Sequence, residues 1–314
     1  MLSDLHFTTA LGMYSTALGA ITTAGGYAST AMGAGTTATN DYSTALGNST
    51  MASGDNSTAM GFSTTASGTN STAMGYNTTA SGEASTAMGY STTASGFAAS
   101  ALGLQANASG YAATALGYYT SASGNYSTAL GYYDLDTNTG SFVWSDNSRY
   151  PGVTSTNNNS VTMRASGGYR LFSNSGMTAG VRLAPNSTSW AVISDRNAKK
   201  DFAAVDSPGI LEKLAVMPVT QWRYKWEDET VTPHIGPMAQ DFKAAFYPGT
   251  DDTSITTLEA DGVAFAAIQG LNQKLEARSQ ELEDRSKQLA AENAELKQSV
   301  AELKKLVQSI VDKK

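Results

Sequence analysis

The sequence predicts a mostly β chain with an α-helical C-terminus: a solenoid of short coils first, a β-rich neck next, then an α+β module ending in a coiled coil. Three observations carry this. A tripeptide recurs at a fixed spacing of 14 through the first 130 residues, charge is concentrated in the last 120, and a 3.5-residue apolar repeat runs through the last fifty.

The array comes first. Ala-(Leu/Met)-Gly begins at Ala17, Ala31, Ala45, Ala59, Ala73, Ala87, Ala101, Ala115 and Ala129, and a companion Ala-Ser-Gly begins at Ala52, Ala66, Ala80, Ala94, Ala108 and Ala122. A strict period with Gly at fixed offsets marks a stacked solenoid rather than a disordered Ser/Gly linker, which needs no period. Two Gly-marked turns in 14 residues leave two strands of about four or five residues. Nine coils at about 4.8 Å each stack to roughly 43 Å. Because side chains alternate across a strand, Ala59 shares the inner face with Ser57, while Met60 and Thr58 face out. One wall therefore carries a Leu/Met stripe: Leu18, Met32, Leu46, Met60, Met74, Met88, Leu102, Leu116 and Leu130. The other does not. A stripe of that size calls for partner chains.

The array resembles the head of trimeric autotransporter adhesins over about residues 8–132, through S-x-A-(L/M)-G followed by A-S-G. That resemblance implies a left-handed parallel β-roll, three of which pack around an axis. A Thr-lined ice-binding solenoid is the alternative for the array, suggested by Thr64-Thr65, Thr78-Thr79 and Thr92-Thr93, but Ser and Asn interrupt the Thr lattice elsewhere. Residues Met1 to Gly12 lack the basic start and apolar stretch of a signal peptide, so export by that route is not expected.

Composition narrows the function. The 314 residues carry a net charge of −7, with 27 acidic and 20 basic side chains. Residues 1–193 hold seven acidic residues, four Arg and no Lys, and residues 194–314 hold the remaining 20 and 16. An acidic balance without basic runs speaks against nucleic acid and anionic membrane as partners. Zero Cys and only His6 and His234 leave no thiolate or imidazole cluster, so neither metal nor cofactor is expected. Acids in the head are scattered, without the paired carboxylates of a glycoside hydrolase.

Between Asp134 and Ile193 the period lapses into short apolar pieces, Phe142-Val143-Trp144, Val161-Thr162-Met163, Tyr169 to Phe172 and Val181 to Leu183, read as a β-rich neck with Trp144 and Trp190 as packing residues. A helix is expected from Pro208 to Ala215, capped by Ser207. From Phe265 the seam runs through Ile268, Asn272, Leu275, Ser279, Leu282, Ser286, Leu289, Asn293, Leu296, Val300, Leu303, Val307 and Ile310, a coiled coil over six heptads. The a/d pattern alone does not choose between two, three and four chains; with the three that the head resemblance implies, the trimer core is Leu275, Leu282, Leu289, Leu296 and Leu303. A lone amphipathic helix is the alternative. The expected divisions are 1–132 roll, 133–193 neck, 194–264 a charge-rich α+β module and 265–314 coil.

Three motifs lie between neck and coil in order: Ser194-Asp195-x-x-x-Lys199, Pro233-His234-Ile235-Gly236 running into Ala239-Gln240-Asp241-Phe242, and Phe246-Tyr-Pro248. With the terminal coil, this resembles the endosialidase-type intramolecular chaperone, a self-cleaving module of phage tail spikes and fibres. The resemblance implies that the module gathers three chains while the preceding β-structure trimerises, and that a Ser-Lys dyad then cuts the chain at its own boundary. It puts the nucleophile at Ser194, the base at Lys199 and the cleavage between Ile193 and Ser194. Lys200 is an alternative base, and His234 and Asp195 are possible auxiliaries. From the residues alone, Ser194-Asp195 reads rather as an ordinary helix N-cap with an acid in the first turn, and only the resemblance reverses that preference. The expected protein is a homotrimeric virion tail fibre, made in the host cytoplasm, with a host-surface receptor, glycan or protein, and other tail proteins as partners. A bacterial surface adhesin carrying the same module, and a structural trimer that never cuts, are the alternatives.

Overall fold

The computed structural model describes residues 7–246 and 251–312, and its contacts fall into two compact units that part between Ala191 and Val192. His6 and Pro248 lie outside the described residues.

The first unit is a parallel solenoid. A ten-stranded sheet of two-residue strands and an eleven-stranded sheet of mostly five-residue strands share the coils alternately. In one coil the long strand is Thr58–Phe62 and the short one Thr65–Ala66. Each coil lies in register on the next, Ala59 on Ala73 and Ala66 on Ala80, with Thr58 N–H donating to Ser71 O at 2.9 Å and Thr65 N–H to Thr78 O at 2.8 Å. The expected pair of four- or five-residue strands is thus corrected to five plus two.

The turns explain the difference. The Gly of Ala-Met-Gly sits inside the long strand: Gly61 has φ +125°, and a Cβ there would lie 2.9 Å from the Gly75 carbonyl carbon, with the carbonyl oxygen nearer still. Coils touch backbone to backbone at this column, so a side chain has no room. The left-handed corners fall mostly on non-glycine residues, Ser63 (φ 52°), Asn56 (φ 54°) and most of their equivalents in other coils, with Gly35 (φ 63°) and Gly140 (φ 67°) as exceptions. These corners use up residues that the expected second strand would have held.

Inside, each typical coil contributes Ser57, Ala59, Thr64 and Ala66 or their equivalents, all fully buried. Only small side chains fit, and a buried methyl contributes about 0.8 kcal/mol. Thr64, Thr78 and Thr92 point inward, and their hydroxyls find no hydrogen-bond partner among the described residues. One residue of each Thr pair is therefore hidden, which removes the flat Thr face an ice-binding wall needs. So thin a core leaves stability to the backbone ladders and to whatever covers the outer wall.

The roll also runs on past Tyr132. Leu135–Asp136 closes the short-strand sheet, while Phe142–Ser145 and Val161–Arg164 extend the long-strand sheet. The outer stripe continues in register from Leu116 and Leu130 to Trp144 and Met163. Inside, Asp134 and Asp136 take the Thr and Ala places, both fully buried. A smaller sheet follows, with Tyr169–Phe172 antiparallel to Gly180–Leu183 and Ala191–Val192 at its edge. Trp190 contacts Tyr169 with ring centroids 6.5 Å apart but stays half exposed, so its packing within the chain is only partial.

The second unit holds a short 3-10 turn at Arg196–Ala198, helix α1 (Ser207–Val216), a hairpin of Thr220–Trp222 with His234–Gly236, helix α2 (Ala239–Phe246) and helix α3 (Thr257–Val311). Asp206, not Ser207, caps α1: its carboxylate accepts from Gly209 N–H at 3.1 Å, which places Ser207 and Pro208 in the first turn, where a proline loses no hydrogen bond. Helix α3 begins eight residues before the expected coil, behind a capping box of Thr256 and Glu259. The first four turns of α3, which run into the stretch expected as coil, dock on α1 and bury Val263, Ala266, Ala267 and Gly270, and Gly270 lets the backbones meet at Ser207.

Candidate functional site

The break in charge composition coincides with a built local structure. Asp195 caps the 3-10 turn, its Oδ1 accepting from Asn197 N–H at 2.9 Å. Five residues span neither a helical nor a strand repeat, yet this turn folds the chain back so that Lys199 Nζ donates to Ser194 Oγ at 2.7 Å. Both side chains are exposed in the single chain. Ser194 itself is not a cap. Asp195 takes that role and contacts neither Ser194 nor Lys199 by any hydrogen bond among the described residues. Lys200 turns to Asp201 instead, 3.9 Å away and open to solvent. Ile193, on the other side of the expected cut, is also exposed.

His234 belongs to a different cluster. It lies on the hairpin opposite Trp222, its ring 4.7 Å from the Trp222 ring, and its Nε2 is 2.9 Å from Glu227 Oε1. Glu227 Oε2 accepts from Tyr224 N–H at 2.8 Å. The hydrogen bond from His234 first, and that from Tyr224 second, hold the Glu227 carboxyl below its ordinary range. Tyr224 and Trp226 stack at 4.4 Å. The hairpin, α2 and Thr253 to Ile255 line a cavity of about 660 Å³ with Trp222, Tyr224, Trp226 and Gln240 on its wall. No hydrogen bond among the described residues joins His234 to Ser194 or Lys199.

Two surfaces are left uncovered in the single chain. Leu275, Leu282, Leu289, Leu296 and Leu303 are each half or more exposed along α3. On the roll, the Leu/Met stripe is joined on the same outward face by Phe62, Tyr76 and Tyr90, whose rings stack at 5.1 and 4.8 Å. The sequence reading missed this second rail, because Ala20, Ala34, Asn48 and Leu104 occupy the same column and hide its period. Among the described residues there is no group of three or more His, Asp or Glu side chains placed to hold a metal, and no helix long and apolar enough to cross a membrane.

Comparison with protein families agrees with both halves. Residues 194–250 match the model of the chaperone of endosialidase, and the match begins at Ser194. The YadA head domain repeat matches at residues 24–50, 52–78, 80–106, 94–120 and 108–133. A search of curated proteins finds no match to the chain.

Proposed function

We propose that the chain is a homotrimeric adhesive fibre whose C-terminal module gathers three copies and then cuts itself away between Ile193 and Ser194. The carrying observation is the 2.7 Å contact between Lys199 Nζ and Ser194 Oγ, at the first residue of the chaperone match and at the point where the charge-poor chain becomes charge-rich.

The chemistry follows from Ser194 being both nucleophile and the residue after the scissile bond. Lys199, as the neutral amine, takes the Oγ proton, and Oγ attacks the Ile193 carbonyl carbon. The C–N bond breaks as the nitrogen receives that proton, leaving Ile193 esterified to Ser194 Oγ and a free amine on Ser194. Water then hydrolyses the ester to the Ile193 carboxylate and the Ser194 hydroxyl. A water-exposed ammonium keeps its proton, whereas burial favours the neutral amine. Closure of three chains over Lys199 would make the dyad competent, so cleavage would report correct assembly. The sorting of the chain supports this order: the roll has an uncovered stripe, and the coil that would gather it lies on the disposable side of the cut.

The fibre's place is proposed as a phage tail, where modules of this kind occur, with a receptor on the host surface and neighbouring tail proteins at the base. A bacterial cell surface is the competing location. The exposure of both dyad side chains favours one further reading, a structural trimer that never cuts. A denaturing gel of freshly made protein decides between them. Cleavage gives two bands, the smaller starting at Ser194, that merge into one in Ser194→Ala and Lys199→Ala. A single full-length band in the unaltered protein overturns self-cleavage.

A further inference from the structure

Positive charge is scarce before the cut, and half of it is concentrated at one spot. Residues 1–193 contain four Arg and no Lys. Arg164 is engaged within the chain, with Asp146 at 3.4 Å and with the carbonyls of Arg149 and Pro151. Arg170 and Arg182 stand directly opposite each other on the antiparallel strands Tyr169–Phe172 and Gly180–Leu183. Residues so placed share one face of the sheet, with Cβ atoms about 5 Å apart. Both Arg are exposed, whereas Tyr169, Val181 and Leu183, which alternate to the other face, are partly buried. Neither Arg side chain enters a hydrogen bond or ion pair among the described residues.

Like charges directly opposite destabilise a sheet. A pair of cations at this register therefore calls for an anion from elsewhere, and the N-terminal unit has none to spare. Among its described acids, Asp134 and Asp136 are fully buried, and Asp146 is taken by Ser148, Arg164 and Ser166. Asp41, Asp55 and Glu83 lie on earlier coils of the roll. In a parallel trimer equal levels meet, so a second copy brings to this level only another Arg pair and the same engaged acids.

We propose that Arg170 and Arg182 form an anion site that takes a tetrahedral dianion, a phosphate monoester or sulfate group. Each guanidinium presents a planar fork of N–H donors, so two of them on neighbouring strands offer one tetrahedral group two forks and two positive charges. A phosphate monoester carries about −1.5 to −2 at pH 7 and cancels the pair, which a single carboxylate does not. The site lies before Ile193 and so stays with the fibre once the module is cut away, the one respect in which its use rests on the adhesive-fibre reading. Binding itself needs neither cleavage nor assembly.

The test is titration calorimetry and thermal melting of the full chain at pH 7 with inorganic phosphate, sulfate, acetate and chloride at matched ionic strength, because salt alone screens the repulsion between the two Arg. Phosphate and sulfate are expected to bind and to raise the melting midpoint above that in chloride, with acetate bound at least about tenfold more weakly. Arg170→Gln and Arg182→Gln should each weaken phosphate binding about tenfold, and Arg182→Lys, which keeps the charge and loses the fork, about threefold to fivefold. In dilute chloride the two Gln variants should melt about 1–4 °C above the parent, since they remove the like-charge pair, an outcome that a damaged fold does not give. Poly(glycerol phosphate) held more tightly per phosphate than the free ion supports a polymer as the source, and equal affinity supports the free ion. Three results overturn the proposal: phosphate and chloride acting alike at matched ionic strength, phosphate binding indifferent to both Gln variants, or a lower sedimentation mass in either variant, which would make the pair a contact between copies. Phosphate bound by a chain that neither cuts nor trimerises keeps this site and sinks the fibre reading, whereas a cleaving trimer that binds none does the reverse.

Discussion

Gly270 and Gly262 lie on the same helix, and the structure assigns them opposite responses to alanine. A Cβ on Gly270 would fall 2.6 Å from the Ser207 carbonyl carbon and 3.0 Å from Pro208 N, with the Ser207 oxygen nearer still. These are backbone atoms of α1, which itself is anchored by the Asp206 cap, so the clash is relieved only by moving one helix off the other. Overpacking of this kind costs about 1–3 kcal/mol, while removing a glycine from a helix interior returns about 0.5–1 kcal/mol. Gly270→Ala is therefore expected to destabilise the C-terminal unit by about 1–2 kcal/mol after the two terms are set against each other. At Gly262 nothing lies within 4 Å of the added methyl, so only the propensity remains and Gly262→Ala should stabilise by about 0.5–1 kcal/mol. The assay is helix melting by circular dichroism in a Ser194→Ala background, at one fixed chain concentration because assembly makes the midpoint concentration-dependent. In a small domain each kcal/mol moves the midpoint by about 4–8 °C. If both alanine variants melt higher than the parent, α3 does not dock on α1 as described.

Three further outcomes follow from the same geometry. Gly75→Ala, at φ +125° with Gly89 backbone atoms 3.0 and 3.1 Å from the new Cβ, should destabilise the roll by about 3 kcal/mol or more through strain and clash together. Gly35→Asn, whose equivalents in later coils are Ser49, Ser63 and Asn77, should stay within about 0.5 kcal/mol by chemical denaturation. Asp146 is held far below the ordinary carboxylate range, first by the Ser148 hydroxyl and then by Ser166. Its folded value being lowered, the stability it adds is present above the unfolded value of about 3.9 and is lost as pH falls through the folded one. Asp146→Asn should thus be less stable than the parent at pH 7, and the gap should begin to narrow as the pH falls below about 4 and go on narrowing towards the much lower folded value, followed by tryptophan fluorescence. A gap that persists unchanged at low pH would mean the carboxylate charge is not what ties Ser148, Arg164 and Ser166 together.

The parts of the fold that repeat were legible in the sequence, and those that depend on one contact were not. The period at Ala17 to Ala129 and the alternation at Ser57 to Met60 fix the solenoid, its inner Ala columns and its outer stripe, because the same small choice is made in every coil. The short strand was misjudged because Asn56 and Ser63 adopt left-handed corners normally left to glycine, while Gly61 is spent on a close backbone approach. The α1 cap moved from Ser207 to Asp206 because both residue types satisfy N-cap chemistry and only the Gly209 contact chooses between them. At the candidate site, Ser194 and Lys199 were legible only through the resemblance of their surroundings, since a five-residue spacing promises no contact until the Asp195-capped turn supplies it. The 4.5 Å contact of Tyr150 with Tyr133 was invisible, as Tyr150 is brought there by Arg164, which donates to the Arg149 and Pro151 carbonyls, and by Gly152, neither of which belongs to the repeat.

What most directly tests the claim that three chains must cover the stripe before any cut is the sedimentation mass of the uncleavable Ser194→Ala chain. Three times the 32.7 kDa chain mass, falling to one when Leu282 and Leu289 are both replaced by Asp, is the expected result, with self-cleavage lost when the same pair is changed in the unaltered dyad. A well-folded single chain at 32.7 kDa, or undiminished cleavage in the Leu282→Asp, Leu289→Asp protein, would contradict it.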